Sequence, residues 1–200
     1  MANTDKFEAI AGTYDAPERI KIARLSADAI RAYIGDAAER SAIDFGCGTG
    51  LVGLELLPEF GSVLFLDSSA NMIEQVNRKI AARSLTRAEA RCLDLEREGL
   101  PDLRADYIFM VQVLLHIPDV EALLTRLRSM LNEGGHLLIV DFDKNEHVAS
   151  PLVHNGFDQA KLADLMTKIG YTGIQSRTFY TGQRLFMGQD ASMFVLDSRK

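Results

Sequence analysis

Tryptophan is absent, and cysteine occurs only twice and proline five times in 200 residues. No stretch reaches the roughly 18 to 20 consecutive apolar residues that a membrane-spanning helix requires, so no membrane partner is expected. The opening Met1-Ala2-Asn3-Thr4-Asp5-Lys6 lacks the charged-then-apolar layout of a secretory signal. Two cysteines allow one disulfide at most, and Cys47 lies inside a glycine turn where bridging is awkward; both read as free thiols of a reducing compartment. The expected location is therefore the cytoplasm. A basic patch is missing as well. The 22 Lys and Arg are scattered among 28 Asp and Glu, for a net charge of −6, whereas phosphate-backbone binding needs clustered cations. Nucleic acid is not an expected partner. Repeats, low-complexity tracts and Pro/Gly/Ser-rich linkers are absent too, so nothing marks a second domain.

What is present is 47% apolar content, enough for one sizeable core, and residues 1–200 read as a single domain. Short apolar runs alternate with amphipathic segments. Ala42–Phe45, Val63–Leu66, Ala90–Leu93, Tyr107–Val111 and His136–Val140 read as strands, several buried on both faces, as in a parallel sheet. Between them, Met72, Ile73, Val76 and Ile80 share a helical face, as do Val120, Leu123, Leu124, Leu127, Met130 and Leu131. The second of these helices is expected to stop at Gly134-Gly135. Asp158 caps a further helix with a stripe of Leu162, Leu165, Met166 and Ile169, ending at Gly170. Another helix runs from about Pro17 to Tyr33. In the tail, Thr172–Tyr180 and Ala191–Asp197 read as two strands joined without a helix. That makes them antiparallel, because a parallel crossover needs a dozen or more residues. The pattern is a doubly wound α/β chain of five β-then-α units closed by a hairpin.

In such sheets ligands bind outside the carboxyl ends of the strands. The first strand runs through Asp44-Phe45 into Gly46-Cys47-Gly48-Thr49-Gly50, a density of glycine that suits close backbone approach to a ligand. The second ends in Asp67, near the acidic position about 20 residues beyond a glycine turn that accepts ribose hydroxyls. Its alternative role is a helix cap, a job that Ser68 or Ser69 can also do. The third strand is followed by Asp94-Leu95, suited to pairing an adenine amino group and covering a ring face. The fourth is followed by Gln112, then Val113-Leu114-Leu115 and His116-Ile117-Pro118-Asp119.

Taken in order, these segments resemble the class I S-adenosylmethionine-dependent methyltransferases, especially the small-molecule kind similar to quinone-biosynthesis methyltransferases. Asp44 to Gly50 resembles the family's first motif, Asp67-Ser68-Ser69-Ala70-Asn71-Met72 its acidic motif, and Cys92-Leu93-Asp94-Leu95 its adenine-contacting segment. The resemblance spans roughly residues 7–170. It implies a mostly parallel seven-stranded sheet with an antiparallel last strand, and S-adenosylmethionine as cofactor. The cofactor-binding residues it implies are Tyr14, Asp44, Gly46, Cys47, Gly48, Gly50, Asp67, Ser68, Met72, Asp94, Leu95 and Gln112. The segment from Phe7 to Tyr14-Asp15 resembles an N-terminal stretch that folds over the cofactor, so residues 1–35 are expected to form a covering helical segment. Val153-His154-Asn155-Gly156-Phe157 resembles a short motif before the last helix. Relatives often carry two histidines before Ile-Pro-Asp; here Leu115 occupies the first position.

Methyl transfer from a sulfonium is an in-line displacement in which orientation supplies much of the catalysis. The expected acceptor is a small molecule. A base helps if that acceptor must lose a proton, and His116 and His154 are the candidates. His136 starts a strand and reads as structural. His147 beside Asp141, Asp143 and Glu146 is read as solvated, with no metal expected. Phe179, Tyr180, Arg184, Phe186 and Met187 are candidates for an acceptor-pocket wall. Two alternatives stay open. Gly48-Thr49-Gly50-Leu51-Val52-Gly53 satisfies the G-x-G-x-x-G of a nicotinamide-dependent oxidoreductase, and the same scaffold can bind adenosylmethionine without catalysis.

Overall fold

The computed structural model describes residues 8–94 and 102–200. Seven strands form one sheet: β1 (Ser41–Phe45), β2 (Ser62–Asp67), β3 (Ala88–Cys92), β4 (Ala105–Val111), β5 (Leu131–Phe142), β6 (Thr172–Phe186) and β7 (Gln189–Arg199). Their spatial order is β3-β2-β1-β4-β5-β7-β6. β1 pairs in parallel with β2 and β4, β2 with β3, and β4 with β5. β7 inserts antiparallel between β5 and β6. The mostly parallel sheet with an antiparallel last strand is thus the architecture observed.

Among the described residues, helices with both ends defined flank it: α1 (Pro17–Arg31), α2 (Leu51–Leu56), α3 (Ala70–Ala82), α4 (Val120–Met130) and α5 (Gln159–Ile169). A core lies on each sheet face because successive residues of a strand point to opposite sides. Ala42, Phe65, Phe109 and Val140 pack into one, Ile43, Leu66, Ile108 and Ile139 into the other. Asp158 caps α5 by accepting from the Ala160 and Lys161 amides, and Gly170 ends it in the left-handed conformation (φ 106°).

Two boundaries differ from expectation. Helix α4 stops at Met130 instead of Gly134-Gly135: Leu131 is already extended, fully buried and paired with Ala105. Burial of that leucine on the sheet overrides the glycine signal. Gly135 serves close approach instead, since a Cβ there would lie 2.9 Å from the Asn132 and Asp106 carbonyl oxygens. The tail strands also run longer than expected, meeting at the two-residue turn Met187-Gly188. Both residues have positive φ (53° and 79°), as a type I′ hairpin requires. Five β-then-α units are expected from the sequence; residues 95–101, which follow β3, lie outside the described residues.

The chain winds outward from β1 to β3 and then returns to β4 on the other side of β1. The carboxyl ends of β1 and β4 are therefore neighbours whose continuations diverge. This is the switch point at which a doubly wound sheet opens a crevice.

Candidate active site

The turn after β1 is held against β2 by backbone and carboxylate. Gly46 and Cys47 N–H donate to the Leu66 carbonyl (2.8 and 3.0 Å), and Gly48 N–H donates to Asp67 Oδ2 (2.8 Å). Asp67 Oδ1 accepts from the Ser69 amide (2.9 Å), while Ser69 itself caps α3 by accepting from Met72 N–H. Capping thus falls to Ser69, and Asp67 remains at the crevice. Burial raises the Asp67 pKa, opposed by its backbone hydrogen bonds. Gly46 has φ 67°, and a Cβ there would lie 2.4 Å from a Val113 methyl. Glycine is needed at this position so that the turn after β1 and the loop after β4 can touch.

Asp44 lies behind the turn. It is almost fully buried and accepts from the Gly53 amide (3.0 Å); burial pushes its pKa to about 8. Burial likewise raises the Cys47 thiol well above its usual range. Gly50 is the left-handed residue before α2 (φ 79°), with a hypothetical Cβ 3.2 Å from Val76. It turns the chain and faces neither cavity described below.

The N-terminal segment closes over this turn. Asp15 accepts from Thr49 Oγ1 and pairs with Lys79 (2.7 Å), whose ammonium also donates to the Thr49 carbonyl (2.7 Å). Further back, the Glu8 carboxylate accepts from Asn71 N–H at the start of α3. Tyr14, held between these two anchors, has its ring edge 3.7 Å from the Cβ position of Gly48 and carries the Arg19 guanidinium 4.1 Å from its ring centroid. Burial raises its phenol pKa; Arg19 lowers it, and Asp67 and Asp15 raise it further.

The opposite wall follows β4. Gln112 is a non-glycine residue at φ 55°, fixed by donating its N–H to the Val140 carbonyl (2.7 Å). A 3-10 turn, Leu114–His116, comes next. Beneath it lies Asp141 of β5, which has no exposed surface and accepts from the Leu115 amide (3.1 Å) and from the Phe142 amide (2.8 Å). Burial pushes the Asp141 pKa to about 7. His154 ties the same turn from outside: its N–H donates to the Leu115 carbonyl, and its Nε2 lies 2.8 Å from the Ile117 carbonyl.

Two cavities meet here. The first, about 460 Å³, is lined by Asp67, Ser68, Met72, Leu93 and Asp94 on one side and by Val113, His116 and Ile117 on the other. The second, about 550 Å³, runs from Asp44 and Cys47 past Leu115 and Phe142 to Tyr180, Arg184, Phe186 and Met187. Tyr14, Gly46, Gly48, Val111, Gln112 and His116 line both and form the boundary.

Most residues expected at the site are therefore brought together. Four of the five tail residues expected as a pocket wall line the second cavity; Phe179 packs against the core instead. Leu95 and Phe7 lie outside the described residues. His154 lines neither cavity, and its Nε2 lies 2.8 Å from the Ile117 carbonyl, in the loop that follows His116. His136 is structural, with Nδ1 2.8 Å from Asp197 and its ring stacked on Tyr107.

Sequence comparison assigns residues 18–177, well over half the chain, to a family described as a methyltransferase domain. The chain belongs to this methyltransferase family. The nicotinamide reading of Gly48 to Gly53 falls with that assignment. Among curated relatives, phosphoethanolamine N-methyltransferase 2 of Caenorhabditis elegans is 26% identical over 146 residues, which are 68% of this chain and 33% of that protein. Ubiquinone biosynthesis O-methyltransferase of Coxiella burnetii is 26% identical over 106 residues, 53% of this chain and 45% of the relative. The chain thus spans less than half the length of either. A solved S-adenosylmethionine-dependent methyltransferase from Aquifex aeolicus superposes with a TM-score of 0.70 at 18% identity. That match covers 96% of this chain and 97% of the other, and it shows a shared fold.

The residues of the chain fit S-adenosylmethionine. The first cavity is of the size that holds a nucleoside-sized ligand. The Asp67 carboxylate takes the Gly48 and Ser69 amides, with a weaker contribution from the Ser68 amide, and its four acceptor positions leave room for a hydroxyl. Sequence reasoning missed the Asp15–Thr49–Lys79 clamp and read Asp141 as part of a solvated acidic stretch, whereas it is fully buried. The clamp joins residues 34 and 64 positions apart along the chain and leaves no local pattern. Asp141 did leave a signal, a carboxylate at the end of the apolar run Leu137 to Val140.

Proposed function

We propose that this methyltransferase transfers a methyl group from S-adenosylmethionine, bound in the first cavity, to a small molecule bound in the second. The observation that carries this reading is the boundary shared by the two cavities. Tyr14, Gln112 and His116 line both, so a donor methyl at that boundary faces an acceptor across no intervening wall. The relatives named above act on phosphoethanolamine and in ubiquinone biosynthesis, by their names; both are small-molecule acceptors of the kind proposed here.

S-adenosylmethionine supplies an electrophilic methyl on a sulfonium. The chain's own residues bind and orient. Asp67 accepts the ribose hydroxyls, with Ser68 beside it. Asp94, with Leu93, takes the adenine, and Met72 packs on it. Gly46 and Gly48 let the backbone approach, while Tyr14 and Gln112 confine the methionine end. Asp44 and Cys47 support the turn from behind. Covering by the N-terminal segment excludes water, because Asp15 and Glu8 latch it to the turn and to α3. His116 accepts the proton of an acceptor hydroxyl or acidic carbon through a ring nitrogen, a role worth about 10²- to 10⁴-fold in rate. The proposed location is the cytoplasm; no helix among the described residues is long and apolar enough to cross a membrane.

Calorimetric titration with S-adenosylmethionine, S-adenosylhomocysteine and NAD tests the reading. Binding of the first two and not the third is expected; binding of NAD alone refutes it.

A further inference from the structure

The second cavity carries more information than its position. We propose, building on its reading as the acceptor site, that the acceptor is an amphiphilic carboxylate. Its apolar or aromatic body would lie in the cavity, its reactive end at His116 and Gln112, and its anionic group at Arg19, Lys21 and Arg184.

Charge is the first argument. Those three cations line the cavity, and among the described residues none of them forms an ion pair. Aromatic faces hold two of them in place without neutralising them. Arg19 lies over Tyr14 and donates to the Tyr14 carbonyl (3.1 Å), and Lys21 Nζ is 5.8 Å from the Tyr180 ring centroid. The acids in the lining are Glu18 and Asp44, and the Asp44 carboxylate is buried and bound to Gly53 N–H. Three cations against one exposed acid disfavour a cationic acceptor and favour an anionic one.

Apolar surface is the second argument. Phe142 and Phe186 stack in the wall with centroids 4.2 Å apart, nearly parallel. Among the described residues, the large apolar side chains left exposed are Leu152 (50%) and Met187 (59%), and both line this cavity. Apolar side chains kept in water at the edge of a cavity mark where a ligand covers them.

Backbone strain is the third. Arg184 holds φ 52°, a conformation that costs a residue with a side chain, at a break in the β6–β7 register between Gly182 and Phe186. Its N–H is fixed by Asp190 Oδ1 (2.9 Å). Irregularities of this kind re-aim side chains, and here the residue re-aimed is the third cation of the cavity.

The test uses the whole chain saturated with S-adenosylhomocysteine and three probes of similar ring and hydroxyl but different charge: 4-hydroxycinnamate, its methyl ester, and 4-hydroxyphenethylamine. Calorimetry is expected to show the carboxylate binding at least tenfold more tightly than the ester, with the amine weakest. In the K21M/R184M variant, which keeps the apolar stems, the preference should collapse to within threefold while S-adenosylhomocysteine affinity stays within twofold of wild type. The proposal is overturned if the ester or amine binds as tightly as the carboxylate, if the preference survives in the double variant, or if no probe binds to protein that holds S-adenosylhomocysteine. Failure of wild type to bind S-adenosylhomocysteine strikes instead at the cofactor reading on which the proposal rests.

Discussion

Replacing Asp67 by Asn tests the cofactor site at its most constrained point. In the folded protein Oδ2 holds Gly48 N–H at 2.8 Å and Oδ1 holds Ser69 N–H at 2.9 Å. Asn is nearly isosteric, but it keeps only one carbonyl oxygen and turns an amino group toward the other N–H. The partly buried amide left without an acceptor costs about 1 to 3 kcal/mol of folding stability. Toward the ribose, two charge-assisted hydrogen bonds become neutral or are lost. At roughly 1 to 1.5 kcal/mol each, this weakens cofactor binding by about 2 to 3 kcal/mol, or about 30- to 150-fold in Kd. Urea denaturation measures the first effect. Calorimetric titration of S-adenosylhomocysteine, at a temperature where the variant is folded, measures the second. A folded Asp67→Asn protein that binds within threefold of wild type refutes the ribose assignment.

Gly46→Ala places a methyl group against Val113 in a left-handed backbone, so a loss of about 2 to 5 kcal/mol in stability is expected. Val113→Ala in the same chain should return the overlap part and leave the backbone part; strictly additive urea midpoints would contradict the contact. Asp141 has its folded pKa raised to about 7, above the ordinary carboxylate value. Its contribution to stability is therefore full below about pH 4 and lost as pH rises through about 7. Asp141→Asn should flatten part of that fall in urea midpoints between pH 4.5 and 7.5, and an unchanged slope would count against it. His154→Phe should leave cofactor affinity intact, cost about 1 kcal/mol of stability and lower turnover through the loop bearing His116. A loss of activity reversed by added imidazole would instead make it a base. His116→Gln should spare cofactor binding and lower turnover of an acceptor that must lose a proton about 10²- to 10⁴-fold; unchanged turnover would refute its role as base.

The glycine turn, Asp67 and Asp94 were legible because each follows a strand end, and a doubly wound sheet gathers strand ends at one edge. The surroundings of His154 were not legible: its Nε2 lies 2.8 Å from the Ile117 carbonyl, a tertiary contact spanning 37 positions that no local pattern encodes. The end of α4 was misread because Gly134 and Gly135 look like a helix stop, whereas burial of Leu131 had already drawn the chain into β5. The meeting of two cavities at Tyr14 and Gln112 depends on the N-terminal latch and on the strained turn after β4. Each is set by partners distant in sequence.

The central claim is methyl transfer to a small molecule across that shared boundary. Incubating the protein with methyl-labelled S-adenosylmethionine and the low-mass fraction of a cell extract tests it most directly. The account predicts label in a small-molecule product, lost in Asp67→Asn and sharply reduced in His116→Gln. Label appearing only on protein or nucleic acid when whole extract is supplied, or a bound cofactor that never yields its methyl group, would contradict it.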